Sequence, residues 1–310
     1  MHFSSAIRTY PLRSIEKIVL ALMLFVGLQL TTQSPAFAES GNAQRIISLG
    51  PDVTEIIFAL GAGDKVVAVD RSSKYPAETA NKANVGYRRS LSPKGIFTLN
   101  TDLIIASEDI GPPETTDVLN QSPVEIFYVP VDNSRAGLIK KIELIAKRLD
   151  LEKQGRALTQ KVVEDFDAAT AYAGKISADK QKKVVFFHGL ARLSGAGSDT
   201  AADAFIRYAG GINPLSVYSG YKPVSEEWLV KAEPDVVLML SDGNGGPTRE
   251  DVFSVKALQR TPAAKNHALI VLEGPYMLGF GPRTAEAIRK LAAALYDNTK
   301  NPSIGGAFCF

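Results

Sequence analysis

Cysteine, histidine and tryptophan are nearly missing from this 310-residue chain: one Cys, three His and one Trp. A single thiol, Cys309, cannot form an internal disulfide, so the fold must be held by its core. His2 lies in an N-terminal leader, so two histidines remain, His188 and His267, far apart in sequence. No His-x-x-x-His or Cys-x-x-Cys spacing is present, which argues against a zinc site. There is no G-x-S-x-G elbow and no phosphate-binding P-loop. Gly61 and Gly63 follow a helical pattern instead of opening one, so they read as a helix C-cap and not as a dinucleotide fingerprint. An excess of charge is lacking too. Removing the leader takes three of 35 basic and one of 33 acidic residues, leaving equal numbers. Such a chain has no electrostatic case for gripping nucleic acid or an anionic membrane. Nothing resembles a catalytic set, and no enzymatic activity is expected.

Residues 1–38 read as a signal peptide. Arg8, Arg13 and Lys17 precede an apolar run from Ile18 to Leu28, and Ala36-Phe37-Ala38 supplies a small-residue cleavage site. The apolar run is about 11 residues, short of the roughly 20 needed to cross a bilayer. No cysteine near the cut offers a site for lipidation. A soluble exported protein, cleaved after Ala38, is expected.

The remainder of the chain alternates short apolar runs with helical periodicity. Strands are expected at Arg45–Leu49, Val66–Val69, within Asp102–Ala106, and at Val124–Val129. The second series covers Lys183–Phe187, Asp235–Leu240 and Ala268–Leu272. Helices are expected after Gly50-Pro51, over about 200–209 and over 284–296. Between the two series, apolar residues from Leu138 to Phe166 recur every three or four positions with no proline. This predicts one long helix over 134–176, bent near Gly155. Thr98–Ala106 and Val230–Leu238 echo one another, each a helix end passing through an aspartate into a strand. The expected fold class is α/β: two doubly wound α/β lobes joined by one long helix, with a ligand cleft between them. The boundaries are 39–133 for the N-terminal lobe, 134–176 for the linking helix, 177–300 for the C-terminal lobe and 301–310 for a flexible tail.

One segment carries distinctive chemistry, Val85-Gly-Tyr-Arg-Arg-Ser90. A phenolate oxygen beside guanidinium groups suits ferric iron, and tyrosinate is a known axial ligand of haem. Spare arginines could pair with carboxylates of such a ligand. The residues alone are also compatible with a surface tyrosine in a solvated loop.

Arg45–Gly63, Val85–Leu91, Asp199-Thr-Ala-Ala-Asp203, Ala209–Asn213, Thr261–Ala264 and Leu278–Pro282 together resemble the periplasmic haemin-binding proteins of bacterial haem ABC importers. That resemblance implies a periplasmic, monomeric protein that captures ferric haem and delivers it to an inner-membrane ABC permease with its ATPase. It implies Tyr87 as axial iron ligand, Arg89 as support for the phenolate, and His188 as a second ligand from the other lobe. The alternative for His188 is a strand-end histidine bonded to backbone. Arg88, Tyr218, Tyr221, Lys222, Met277 and Phe280 are candidate pocket residues, while Arg283 and Trp228 read as structural. Docking on the permease would use Glu227 in the second lobe. On the first, Lys94 stands where many members have a glutamate, and Glu78 is the nearby substitute. The loop Ser241–Gly246 lacks the arginine that some members place near the tyrosine. A ferric-siderophore or cobalamin binder of the same fold is the alternative function, and a periplasmic haem chaperone or enzyme a more distant one.

Overall fold

The computed structural model describes residues 43–241 and 245–297. The leader, its cleavage site, Asp242 and the tail with Cys309 lie outside the described residues. Two five-stranded sheets organise the chain. The first comprises β1 (Ile46–Leu49), β2 (Val66–Val69), β3 (Ala83–Asn84), β4 (Leu103–Ser107) and β5 (Glu125–Val129). Its helices are α1 (Pro51–Ala59), α2 (Pro93–Phe97) and α3 (Pro113–Asn120). The order is β3-β2-β1-β4-β5, all parallel. Strand order therefore reverses between β1 and β4, and ligands bind beyond the carboxyl ends of strands at such a point.

Next come α4 (Arg135–Arg148) and α5 (Glu152–Ala173). The second series then runs β6 (Val184–Phe187), β7 (Ser194–Ala196), α6 (Ala201–Tyr208), β8 (Tyr221–Pro223) and α7 (Glu226–Ala232). It closes with β9 (Val236–Ser241), α8 (Arg249–Ser254), α9 (Pro262–Lys265), β10 (Leu269–Glu273), α10 (Gly274–Leu278) and α11 (Thr284–Tyr296). Its sheet order is β10-β9-β6-β7-β8. The first three are parallel, whereas β7 and β8 pair antiparallel. These two short strands, rich in glycine and proline, carry too little apolar alternation to be legible as strands.

The single helix expected over 134–176 is two helices. Asp150 adopts a left-handed conformation (φ 55°), which aspartate tolerates better than most residues. Leu151 N–H donates to the Ala146 carbonyl at 2.8 Å, and the chain turns back on itself. Close packing seals the hairpin: a Cβ on Gly155 would lie 2.5 Å from Ala146 Cβ. At the far end, Arg135 donates both Nε and Nη2 to the Asp167 carboxylate at 2.7 Å. Gly155 thus serves as the contact point of the hairpin, and the break falls five positions earlier.

The internal echo has a structural basis. Asp102 N–H donates to the Arg45 carbonyl, and Asp235 N–H to the Lys183 carbonyl, at 2.9 and 2.8 Å. The Asp102 carboxylate accepts from the Arg45 N–H, and that of Asp235 from the Lys183 N–H. Two residues before each aspartate, Asn100 and Glu233 have φ of 47° and 48°. The same device fastens the first strand of each series.

One buried apolar cluster runs through both halves. It joins Ile46 and Ile56 to Ile142 and Phe166 on the hairpin, and on to Phe186 and Ile288. A close-packed interior of this kind resists continuous deformation. The lobes are therefore coupled through a shared core and not through a free linker.

Candidate functional site

The carboxyl ends of strands from both sheets converge on one cleft of about 390 Å³. Pro51 follows β1, Ser107 ends β4, His188 follows β6, Leu240 lies near the end of β9 and Gly274 follows β10; all line it. So do Tyr87, Arg88 and Arg89 from the first lobe and Thr200 and Tyr221 from the second.

Tyr87 sits in a turn made possible by Gly86, whose φ of 93° suits glycine. Gly86 N–H donates to Asn84 Oδ1 at 2.8 Å, and its carbonyl accepts from Arg71 N–H at the same distance. The Tyr87 carbonyl accepts from Ser90 N–H at 2.7 Å. These bonds fix the backbone and leave the half-buried ring at the cleft wall. The Arg71 guanidinium carbon is 5.5 Å from its ring centroid.

The neighbouring arginines share one anion. Asp109 accepts from both: Arg88 at one carboxylate oxygen and Arg89 at the other, the latter at 2.5 Å. Ser107 Oγ adds a 2.8 Å bond to the same carboxylate. Burial, and the adjacent Arg89 charge, push the Arg88 guanidinium below its ordinary value. Both arginines are thus held at the cleft wall, two cations on one carboxylate, which leaves a net positive charge there.

His188 faces the cleft from the end of β6. Its ring centroid is 5.0 Å from that of Phe186 and 4.6 Å from that of Tyr221. Desolvation there, reinforced by the Arg89 charge, lowers its pKa below the ordinary 6.5. The imidazole is consequently neutral at pH 7, with a lone pair available to a metal. Burial raises the Tyr221 phenol, opposed by Arg89 and a hydrogen bond with Thr200, so this tyrosine is held neutral.

Other expected residues lie elsewhere. Tyr218 and Lys222 line a separate groove of about 230 Å³ with Trp228. The strand alternation of β8 explains the parting: Tyr221 and Lys222 point to opposite faces. Met277 and Phe280 are core residues, 1% and 0% exposed, and do not line the cleft. Phe280 packs toward Tyr208, with centroids 6.2 Å apart. Leu278 and Gly279 line the cleft in their place. Glu227, on the first turn of α7, and Glu78 are both exposed, as is Lys94 on α2. Of the Ser241–Gly246 loop, only Ser241, Gly245 and Gly246 belong to the described residues.

Sequence reasoning missed Asp109, Arg71 and a buried pair at the cleft floor. Lys141 Nζ donates to Asp52 Oδ2 at 2.7 Å, and both residues line the cleft. Lys141 was detectable: it follows Leu138 by three and precedes Ile145 by four, a cation on the apolar stripe of α4. Asp109 had the signal of position, two residues past a parallel strand. Among the described residues no cluster of three His, Cys, Asp or Glu could hold a metal ion, and no helix is long and apolar enough to cross a membrane.

Two α/β lobes with a rigid connection and a cleft at their strand ends define a ligand-binding protein. The chain belongs to the periplasmic binding protein family, whose model matches residues 46–276. Among solved structures it is similar to the apo periplasmic heme-binding protein RhuT from Roseiflexus sp. RS-1. The TM-score is 0.77 and the identity 37%, over 82% of this chain and 98% of that one. The periplasmic heme-binding protein HutB of Vibrio cholerae matches at TM-score 0.72 and 32% identity, over 82% and 99%. The vitamin B12-binding protein of Vibrio campbellii is 28% identical over 277 residues, 86% of this chain and 94% of that one.

Proposed function

We propose that this protein captures ferric haem in the periplasm and presents it to an inner-membrane ABC permease. The observation that carries the reading is the placement of Tyr87 and His188, from different lobes, on one cleft. A phenolic oxygen is a hard donor suited to iron(III), and a neutral imidazole is the usual nitrogen donor for haem. Similarity to structures named as heme-binding supports the same ligand. The relatives named for vitamin B12 favour a corrinoid instead. A corrinoid arrives with its metal already coordinated and gives an ionisable tyrosine no task. A ferric siderophore would likewise arrive coordinated.

Titration of the exported protein with haemin and, separately, with cyanocobalamin decides between these ligands. Haemin should give a Soret band with tyrosinate-to-iron charge-transfer features, and Tyr87→Phe should abolish those features. Saturable binding of cyanocobalamin with no spectral response to haemin would overturn the assignment.

A further inference from the structure

We infer that Tyr221 is a positioning residue, one that holds the His188 imidazole in place to meet the bound iron. The inference rests on the haem reading, with His188 as the second ligand. An imidazole that binds a metal is ordinarily oriented by a hydrogen bond from its other ring nitrogen. Among the described residues no hydrogen bond to the His188 side chain is present, and aromatic rings flank it instead. Phe186 meets it edge-on, with centroids 5.0 Å apart and planes at 81°. Tyr221 lies closer, at 4.6 Å and 46°. The two flanking rings approach one another at 6.4 Å, so the three form one cluster.

The sheet explains how a residue on β8 touches one that follows β6. Phe187 pairs with Gly195, and Ala196 with Tyr221, so Ala196 stands between Phe186 and Tyr221 on one face. Phe186 and His188 are two residues apart and share that face. Ala196 is fully buried and offers only a methyl group, which leaves room above β7 for the Tyr221 ring to lean across to the imidazole. Phe186 is fixed in the core, whereas Tyr221 lines the cleft beside His188. Tyr221 is itself secured at both ends, its backbone by the pairing with Ala196 and its phenol by the hydrogen bond with Thr200. The Thr200 hydroxyl in turn donates to the Gly197 carbonyl at 2.8 Å and accepts from Asp203 N–H at 3.1 Å. Holding the imidazole before the ligand arrives removes rotational freedom that iron binding would otherwise have to freeze out.

The test compares haemin complexes of wild type, Tyr221→Ala, Tyr221→Phe, His188→Ala and the double variant Tyr221→Ala/His188→Ala. Soret titration reads affinity, electron paramagnetic resonance reads spin state, and circular dichroism checks the fold of each. Tyr221→Ala should weaken haemin binding about fivefold, the scale of one lost aromatic pair. It should also move part of the ferric haem from low-spin to high-spin while keeping the tyrosinate band. Tyr221→Phe keeps the ring and should retain the low-spin signal. In the His188→Ala background, Tyr221→Ala should have no further effect. Equal weakening in both backgrounds would mean that Tyr221 touches the porphyrin itself, and would overturn the inference. A wild-type spin state in Tyr221→Ala would overturn it too. A wild type without any Soret response to haemin would remove the haem reading, and a spectrum indifferent to His188→Ala would remove the second ligand and the inference with it. Both results are separable from the others because they appear before Tyr221 is changed.

Discussion

The guanidinium carbon of Arg283 lies 3.5 Å from the ring centroid of Tyr75, and the two residues come from opposite lobes. Arg283 also donates its backbone N–H and its Nε to the Glu55 carboxylate at 2.8 and 3.0 Å. Tyr276 flanks the same guanidinium at 5.0 Å. One turn earlier on α1, Asp52 binds Lys141, whose Nζ lies 3.5 Å from the Phe280 carbonyl. Asp52 and Glu55 are three residues apart and so share a helix face. The loop 279–283 meets that face closely: a Cβ on Gly281 would stand 3.4 Å from Glu55 Cδ. One ion pair, Arg283–Glu55, thus crosses between the lobes beside the shared core, and Lys141 on the hairpin links Asp52 of the first lobe to the Phe280 carbonyl of the second. A clamp built this way should bind by small adjustments and not by wide closure.

Arg283→Ala should destabilise the protein by about 3 kcal/mol, because it strands a buried carboxylate without its partner. The pH dependence follows from the same site. Burial raises the Glu55 pKa above its ordinary 4.5, outweighing the opposing effect of Arg283. The native state therefore holds this proton more tightly than the unfolded chain, and Glu55 contributes less stability as pH rises past about 4.5. Without Arg283 that loss grows steeper. Urea unfolding of wild type and Arg283→Ala at pH 4.5 and 7 measures it; a destabilisation no larger at pH 7 than at pH 4.5 would contradict the account.

Much of the fold was legible because parallel strands buried on both faces form continuous apolar runs. Val66–Val69 and the helix Thr284–Tyr296 match their expected limits. The hairpin turn was hidden because its signal is a single aspartate in a left-handed conformation, and neither Leu149 nor Leu151 breaks the apolar pattern. At the site, sequence chemistry brought out Tyr87 and the family resemblance brought out His188, and the fold places both on one cleft. It could not show that Asp109 occupies Arg88 and Arg89, since that contact spans about 20 residues and two loops. Met277 and Phe280 misled for a related reason: the loop before α11 approaches the cleft with Leu278 and Gly279 and turns its large side chains into the core.

The hairpin makes its own prediction. Gly155→Leu must displace Ala146 and should cost about 1–3 kcal/mol by overpacking, with thermal unfolding as the measure. Asp150→Gly should be tolerated, because glycine adopts the left-handed conformation at no steric cost. If both substitutions behaved alike, the turn at Asp150 would not be the structural break.

Tyr87→Ala should remove the charge-transfer features of bound haemin and weaken its binding by at least an order of magnitude, with circular dichroism unchanged because the residue lies in an exposed-edge turn. His188→Ala tests the other lobe. With both ligands engaged, ferric haem in the wild type is low-spin, and the variant should move to high-spin while retaining the tyrosinate band. Electron paramagnetic resonance reads this directly. A spin state indifferent to His188 would leave the imidazole as a packing partner of Phe186 and Tyr221.

Delivery to a permease would need a charged surface, and Glu227 is exposed on the second lobe. It is exposed in the first turn of α7, where a carboxylate complements the helix dipole, and Ser225 caps that helix by accepting from Trp228 N–H at 3.2 Å. The cap fixes the helix without using the glutamate. On the first lobe, Lys94 on α2 has the opposite charge, so an acidic contact there would have to come from Glu78, which is also exposed. Charged rim contacts govern encounter rate and register more than final affinity. Glu227→Arg should therefore leave haemin affinity unchanged and slow haem-stimulated ATP hydrolysis by the reconstituted transporter, most strongly at low salt. Glu78→Arg should add to the loss if both lobes dock. Full stimulation by the double variant would place the docking surface elsewhere on the molecule.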